Sequence, residues 1–373
     1  MKFLEQISIM AAVLSGILLI SCKQDASSSN TDAHTPSGSA PTPAYEFHST
    51  VTYLPAGTDG ILGEEVTYAY FGDWPQTVKK PTITVYETSS KTMGGATYYV
   101  GSDGNYYAKC IENAFSSGYT YSDGTAVAKA SEKNVRYFKV EPIKWCVLTK
   151  NYGGNTLLIA EKILTANIAY YDYTVDRSIE DKTVSPNNYM HSKIRAYLNG
   201  LSYTKKADVA SVQEEDASYK DNGFLQTAFT NDAQALIVAA TLDNSAASTN
   251  PASNAALRNK GENSYACDNT SDRIFLLSEK EATTADYGFA EYNVYITKKT
   301  EANSRVRKVT DYAKANYAYE SYTESIGGWW LRSPLCDSGS LAYYVYVTGN
   351  AYGRLPVNST EGGVVPALLV PGQ

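Results

Sequence analysis

The chain of 373 residues is long enough for a sizeable hydrophobic core, and its formal net charge of −7 comes without any cluster of Lys or Arg. Nucleic-acid binding needs a concentrated basic surface, so this composition excludes a nucleic-acid partner. The three His residues (His34, His48 and His191) lie far apart and the Cys spacing matches no zinc pattern, so we expect no metal site and no cofactor.

The first 21 residues are typical of an export signal. Lys2 and Glu5 precede an apolar run over residues 7–20, which is shorter than the roughly 20 residues that a membrane-spanning helix needs. The run ends in Leu-Ile-Ser-Cys, which resembles the lipoprotein box of bacteria. The mature chain is therefore expected to begin at a lipidated Cys22, with an uncleaved anchor helix as the alternative.

Residues 22–45 are rich in Ser, Thr, Ala, Pro, Asn and Asp. A segment with so little to bury is predicted to be a flexible tether between the lipid and the folded body. No internal linker follows, so residues 46–373 are expected to form a single domain. This arrangement places the protein at the bacterial cell envelope, anchored in the membrane through its lipid. We expect exposure at the outer-membrane surface, with the periplasmic face as the alternative.

The body begins with a series of predicted strands. Residues 66–72 alternate between apolar and polar side chains and lead into a turn at residues 72–75. Three further strands are predicted over residues 137–140, 143–148 and 156–160, and the last two are joined by a hairpin loop over residues 151–155.

Short helices follow, mixed with one more strand. Residues 192–200 begin with a capping Ser and end with Gly, and further helices are predicted over 224–229, 232–239 and 310–316. A strand over 273–277 precedes Ser278 and Glu281, whose spacing predicts a capping box. Residues 202–221 and 241–270 show no clear period. The fold class expected from these elements is α+β, loop-rich and low in regular secondary structure.

Four cysteines remain after Cys22, namely Cys110, Cys146, Cys267 and Cys336. In an exported protein they can form one or two disulfides, and three pairings would use all four. Cys146 lies in an apolar run, which favours a buried free thiol.

The most informative segment is residues 335–360, here called the interval. It contains no Lys, Glu, Gln, Met or Trp, and most of it is Tyr, Ser, Asn, Asp, Gly, Thr and small aliphatic residues. Its flanks, residues 327–334 and 363–369, supply large apolar residues and an Arg. Because Tyr and small polar residues are typical of binding surfaces, the interval is predicted to form a recognition surface on a rigid frame.

Six motifs in register carry a resemblance to a bacterial family. They are Phe-Gly-x-x-Pro-Gln, Pro-Ile-x-Trp-x-Val-Leu, Ile-Arg-x-x-Leu-Asn, Phe-Leu-Leu-Ser, Trp-Trp-Leu-Arg-Ser-Pro and Gly-Val-x-Pro-Ala-Leu, at residues 71–76, 142–148, 194–199, 275–278, 329–334 and 363–368. The family resembles the formylglycine-generating-enzyme branch of the C-type lectin-like fold. The resemblance spans residues 66–370 and implies that fold for the body, with a variable ligand-binding region over about residues 329–370.

Within that family, the chain is similar to the variable lipoproteins of treponemes that a retroelement diversifies. In such systems template adenines are miscopied, and AAC codons become any NNC codon. NNC codons cannot encode Lys, Glu, Gln, Met or Trp, the five residue types that the interval lacks.

The resemblance also implies a role for individual positions. The positions fixed as scaffold are Trp329, Trp330, Arg332, Gly363, Pro366 and Ala367, with Ala342, Val345, Gly349 and Val357. The variable, ligand-contacting positions are Cys336, Asp337, Ser338, Ser340, Leu341, Tyr344, Tyr346, Asn350, Tyr352, Arg354 and Leu355. Strand alternation predicts Tyr344 and Tyr346 on one exposed face, with Val345 and Val347 on the other. At Val365 the chain departs from the family, where many relatives have Arg.

The function expected is a membrane-anchored display protein, not an enzyme, that binds an unknown protein or cell-surface ligand as a monomer. The alternative is a fixed-specificity or structural envelope lipoprotein, in which the Tyr-rich interval is ordinary β core, with Tyr343 in particular buried. A formylglycine-generating oxidoreductase is disfavoured because Cys336 has no second Cys near it in sequence. A hydrolase is disfavoured because no Gly-x-Ser-x-Gly elbow is present.

Overall fold

The computed structural model describes residues 39–205, 216–249, 263–290, 303–321, 324–351 and 353–372. The predicted export signal, Cys22 and the predicted tether up to residue 38 lie outside these ranges, as does Tyr352 of the expected surface set. The residues from Gly38 to Gln373 belong to one folded unit.

Within the described ranges, twenty strands provide most of the regular structure. In chain order they are β1 (Thr52–Tyr53), β2 (Tyr68–Val78), β3 (Val85–Met93), β4 (Ala96–Gly101), β5 (Tyr106–Ile111), β6 (Val135–Tyr152), β7 (Asn155–Ala160), β8 (Arg177–Ile179), β9 (Lys182–Val184), β10 (Ser202–Thr204), β11 (Asp216–Ser218), β12 (Ala240–Leu242), β13 (Thr270–Asp272), β14 (Ile274–Phe275), β15 (Arg307–Lys308), β16 (Ile326–Gly327), β17 (Trp329–Pro334), β18 (Leu341–Val345), β19 (Gly353–Pro356) and β20 (Ala367–Pro371).

The strands form one large sheet and several small ones. The large sheet has nine strands in the order β14-β20-β7-β6-β5-β4-β3, and β2 pairs with both β6 and β1. A separate three-stranded sheet has the order β17-β18-β19, and each remaining sheet has two strands. Every pairing between these strands is antiparallel.

The helices are short. The α-helices are α1 (Lys193–Asn199), α2 (Phe224–Ala228), α3 (Asn231–Leu236), α4 (Ala246–Thr249) and α5 (Asp311–Ala315), and single 3-10 turns occupy Ala130–Glu132, Glu281–Thr283, Ala285–Tyr287 and Asn303–Arg305. None of these described helices is both long and apolar enough to cross a membrane.

Several predicted elements are confirmed. Helix α1 begins at the Ser192 cap, whose side chain accepts a hydrogen bond from the backbone N–H of Arg195, and it ends at Gly200 with φ of 67°. The capping box is present, because the Ser278 backbone donates to Glu281 and the Glu281 backbone donates to Ser278. The two strands predicted over 137–148 are one continuous strand, β6.

The expected fold class is wrong. Strands account for 38% of the chain and helices for 13%, so the protein is β-rich with antiparallel sheets. This finding also overturns the C-type lectin-like fold that the resemblance implied. The sequence-based interpretation missed β4 and β5, and it missed β3, whose mostly exposed and half-buried residues give a weak apolar period. It also gave undue weight to helices of four to seven residues.

A single hydrophobic cluster connects the large sheet to the C-terminal strands. It includes Trp145 of β6, Leu158 of β7 and Leu368 of β20, together with Ile194 of α1 and Trp330 of β17. The small sheet that contains the interval is thus built on the main core, which gives the interval a rigid support.

The chain contacts the body earlier than the expected end of the tether at residue 45. Ala40, Tyr45 and Phe47 pack against a cluster on β4 and β5. Buried Asp73 accepts hydrogen bonds from the Tyr45 hydroxyl at 2.6 Å and from the His48 backbone at 2.8 Å. The folded body therefore includes residues 40–45, which were predicted to belong to the tether.

No disulfide joins Cys110, Cys146, Cys267 and Cys336. Cys146 is a buried free thiol, as predicted. Burial raises the pKa of Cys146 to about 12, and burial likewise raises that of Cys110 to about 12. These two thiols stay protonated at neutral pH, a state in which they are poor nucleophiles.

Candidate functional site

The interval forms a turn, a strand, a loop and a second strand. Residues 335–340, here called the turn, lead into β18, and β18 pairs with β17 on one side and β19 on the other. Trp330 lies opposite Tyr344, and Tyr343 lies opposite Arg354. The loop between β18 and β19 is described over residues 346–351. Strand β18 is therefore the central strand of its sheet.

The residues expected to form the scaffold are buried. Trp329, Trp330, Arg332, Gly363, Pro366 and Ala367 all lie in the interior, as do Ala342, Val345, Gly349 and Val357. Gly363 and Gly328 exchange close main-chain contacts, since the Gly363 N–H donates to the Gly328 carbonyl at 3.0 Å. A side chain at Gly363 would collide with that carbonyl. Val365 is also fully buried and apolar.

Arg332 is a buried cation with partners on three sides. Its guanidinium donates to the Leu276 carbonyl at 3.0 Å, to the Asn244 side-chain oxygen at 3.2 Å, and to the Glu281 carboxylate. Burial acts to lower the pKa of Arg332, but pairing with Glu281 raises it above its ordinary value. The frame of the interval is thus fixed by a buried ion pair as well as by apolar packing.

Asn187 holds the main chain of the turn. Its fully buried side-chain amide donates to the carbonyls of Ser338 and Leu341 at 2.9 Å each, and to that of Leu335 at 3.4 Å. The Asn187 backbone N–H donates to the Gly339 carbonyl at 2.9 Å. Every one of these acceptors is a main-chain oxygen, so these four hydrogen bonds do not depend on the identity of the turn's side chains.

A second buried side chain holds the loop that follows β18. The Arg305 guanidinium donates to the Gly349 carbonyl at 2.7 Å. Gly349 has φ of 80°, a left-handed conformation that favours glycine. Like Asn187, Arg305 lies outside the interval. Its hydrogen bond to the interval is made to a main-chain oxygen.

The expected surface residues fall into two groups at opposite ends of β18. Cys336, Asp337, Ser338, Ser340 and Leu341 lie at the start of the strand, and Tyr346 and Asn350 lie beyond its end. The five residues of β18 separate the two ends by roughly 17 Å. Arg354 is exposed on β19, whereas Leu341, Leu355 and Cys336 are half-buried and pack against the core.

Tyr344 is the clear exception to the predicted exposure. It is only 3% exposed, whereas Tyr346 is 47% exposed. Its ring packs edge-on against Trp330, with 5.9 Å between ring centroids, and fills the space above Gly328. The expectation of an exposed Tyr344 is therefore wrong, because both faces of β18 are covered. Tyr343 is fully buried on the other face.

A buried carboxyl group lies close to Tyr343. Glu279 is fully buried, and neither of its carboxylate oxygens has a hydrogen-bond partner in the described part of the chain. Its backbone N–H donates to the Ser333 hydroxyl at 2.9 Å. Burial raises the pKa of Glu279 to about 8, against the attraction of Arg305. Glu279 is thus mostly protonated at neutral pH.

The turn forms one wall of an open groove with a volume of about 510 Å³. The opposite wall comes from residues well before the interval, and the full lining is Thr174, Val175, Asp176, Pro186, Tyr265, Asp337, Ser338, Gly339 and Ser340. Pro186 directly precedes Asn187, so the residue that holds the turn and one wall of the groove are adjacent in the chain.

Sequence reasoning did not single out Asn187, Asp176 or Tyr265. Asn187 follows a Ser-Pro pair, a pattern that is typical of a turn. Its hydrogen-bond acceptors, however, lie near residue 340. Nothing local to these residues indicates a contact with the interval, because the contact exists only in the folded chain.

A smaller pocket of about 160 Å³ lies beside α1 and is lined by residues that include His191 and Arg195. Burial and the nearby Arg177 lower the pKa of His191. Arg195 forms an ion pair with Asp272 at 2.8 Å, so its charge is balanced by a carboxylate of the protein itself. In the described ranges, no three His, Cys, Asp or Glu side chains converge to hold a metal ion.

Comparison with known proteins gives one match. A family model described as a domain of unknown function (DUF6273) matches residues 153–372, whereas no curated protein and no solved structure matches the chain. The matched range begins in the turn between β6 and β7 and includes the groove, Asn187 and the whole interval. Because the match covers more than half of the sequence, the chain belongs to the DUF6273 family.

Proposed function

We propose that this protein is a lipid-anchored display protein of the bacterial envelope, whose groove binds a ligand through a wall that a retroelement diversifies. The observation that carries the proposal is the way in which Asn187 and Arg305 hold the interval by its main chain alone. The N-terminal sequence supports the lipid anchor, and the composition of the interval supports the diversification.

Main-chain anchoring suits a surface whose side chains change. A binding loop that depended on its own side chains for shape would lose that shape when they were replaced. Here the acceptors are carbonyl oxygens, which every residue type carries. The turn can therefore present different side chains toward the groove while its backbone stays in place.

Burial restricts which positions can serve this purpose. Asp337, Ser338 and Ser340 lie at the groove, and Tyr346 and Arg354 are exposed elsewhere in the interval. Buried Tyr343 and Tyr344 belong to the core, so their replacement would affect folding before it affected binding. We expect diversification that is compatible with folding to concentrate at the exposed and half-buried positions.

The test is deep sequencing of the locus for residues 325–373 from one clonally founded population, together with the neighbouring DNA. The expected result is substitution confined to codons within 335–360, at positions that are adenine in a nearby near-copy. An invariant locus without a near-copy or a reverse transcriptase gene would contradict diversification. It would leave a fixed-specificity or structural envelope lipoprotein.

A biochemical test addresses the same proposal in the protein. A library that randomises Asp337, Ser338 and Ser340 is displayed and sorted for folded molecules, next to a library that randomises Ala342, Tyr344 and Val345. The first library is expected to yield many folded variants with diverse side chains, and the second few. Equal tolerance in the two libraries would contradict the proposed division between display positions and core.

A further inference from the structure

The groove has one wall inside the interval and one outside it. Asp337, Ser338, Gly339 and Ser340 form the wall that belongs to the interval, whereas the opposite wall is Thr174, Val175, Asp176, Pro186 and Tyr265. If diversification is confined to the interval, every copy of the protein keeps the second wall. The chemistry of that fixed wall then limits which ligands all copies share.

Both walls carry an exposed carboxylate. Asp176 lies on the fixed wall and Asp337 on the turn, and the lining residues within the described part of the chain include no Lys, Arg or His. Arg177 follows Asp176 in the chain but is buried, and it donates to the carbonyls of Ser185 and His191. The groove therefore presents net negative charge to a ligand.

The remaining lining groups suit an aliphatic stem. Val175 is 46% exposed, and the ring of half-buried Tyr265 lies against Gly339. Lys and Arg side chains combine an apolar stem with a cationic end. Such a stem can lie on Val175 while the cation contacts a carboxylate or the face of an aromatic ring.

We propose that the groove binds a Lys or Arg side chain of a protein partner, with Asp176 and Tyr265 as the constant contacts and the turn as the selective wall. This inference rests on the proposed function, because it assumes that the groove is the binding site. The partner class is a polypeptide with an exposed basic residue. The constant wall provides a basal affinity for that residue, and the side chains at positions 337–340 discriminate among its neighbours.

The test measures binding of three labelled peptides of equal length, one rich in Arg, one in Gln and one in Glu, by fluorescence anisotropy. The protein is the full chain in detergent, compared with the double variant Asp176→Asn, Asp337→Asn. A matched control, Asp59→Asn with Asp232→Asn, removes the same formal charge at two exposed positions that do not line the groove. Thermal unfolding of each variant checks that the fold is retained.

The Arg-rich peptide is expected to bind best, to weaken about tenfold in the groove variant, and to be unchanged in the control. Addition of salt should weaken binding, and Tyr265→Leu should also reduce it. Equal loss in the groove variant and the control would overturn the proposal, since binding would then reflect overall charge. Preference for the Gln-rich or Glu-rich peptide, or no binding by any peptide, would also overturn it.

The outcomes separate this inference from the proposed function. A groove that prefers a neutral or acidic peptide, at a locus that varies, leaves the display function in place and refutes only the cationic ligand. An invariant locus with peptide binding at Asp176 refutes diversification but retains the ligand class. Failure of both measurements would refute both proposals.

Discussion

The turn at residues 335–340 and strand β18 are neighbours within the interval, yet they differ in what is buried. In the turn the main chain is held from outside and Asp337 is exposed. In β18 the reverse holds, because Tyr343, Tyr344 and Val345 are buried on the two faces of a central strand. The comparison teaches that a Tyr-rich composition identifies a segment but does not identify which of its residues can contact a ligand.

The largest expected effect comes from the buried side of this comparison. Tyr344→Ala should lower the free energy of unfolding by about 3–5 kcal/mol, because it leaves a cavity against Trp330. Tyr346→Ala, two residues later and 47% exposed, should change it by no more than about 1 kcal/mol. Urea unfolding of the two variants provides the measurement. Similar losses for both would erase the distinction between core and surface within the interval.

The next effect concerns the side chain that holds the turn. Asn187→Ala should lower the free energy of unfolding by about 2–3 kcal/mol, since it removes the hydrogen bonds of a fully buried amide to the Ser338 and Leu341 carbonyls. It should also increase amide hydrogen exchange across residues 335–341. Asn358→Ala, at an exposed Asn of the same interval, is the matched control and should change neither. Unchanged exchange in Asn187→Ala would show that the turn holds its own shape.

A pH-dependent effect is expected from the carboxyl group near Tyr343. Burial raises the pKa of Glu279 from 4.5 in its ordinary state to about 8 in the folded protein. The unfolded chain therefore releases this proton at lower pH than the folded chain does. The contribution of Glu279 to stability is greatest below pH 4.5 and declines as the pH rises through about 8.

Glu279→Gln should remove that decline, because the amide does not titrate. The variant should match the native protein near pH 4 and exceed it near pH 8 by on the order of 4 kcal/mol. Thermal unfolding across this pH range measures the difference. Asp272, Glu320 and Glu361 also have raised pKa values, but they are present in both proteins, so the difference between the two isolates Glu279. Parallel pH profiles would contradict the prediction.

The smallest effects are expected at the exposed side chains of the turn. Asp337→Ala, Ser338→Ala and Ser340→Ala should each change the free energy of unfolding by no more than about 0.5 kcal/mol. The Ser338 and Ser340 hydroxyls contact each other at 3.1 Å, so the double variant should show only a small additional change. A loss comparable to that of Asn187→Ala would mean that the turn depends on its own side chains.

Local elements of the fold were predictable wherever the signal lay within a few residues. The Ser192 cap and Gly200 stop fixed the limits of α1, and the Gly153-Gly154 pair placed the hairpin between β6 and β7. The fold class was not predictable in this way. It depends on strands with a weak apolar period, such as β3, whose pairing with β4 is set by neighbours in the folded sheet.

The sequence by itself determined the interval, its missing residue types and the apolar frame on either side of it. Only the tertiary structure decided which side chains of the interval are exposed, because both faces of β18 are buried, so alternation alone does not place Tyr344 at the surface. It also brought Asn187, Asp176 and Tyr265 to the turn. Those contacts join residues separated by long stretches of chain, and no local pattern of apolar and polar residues predicts contacts of this kind.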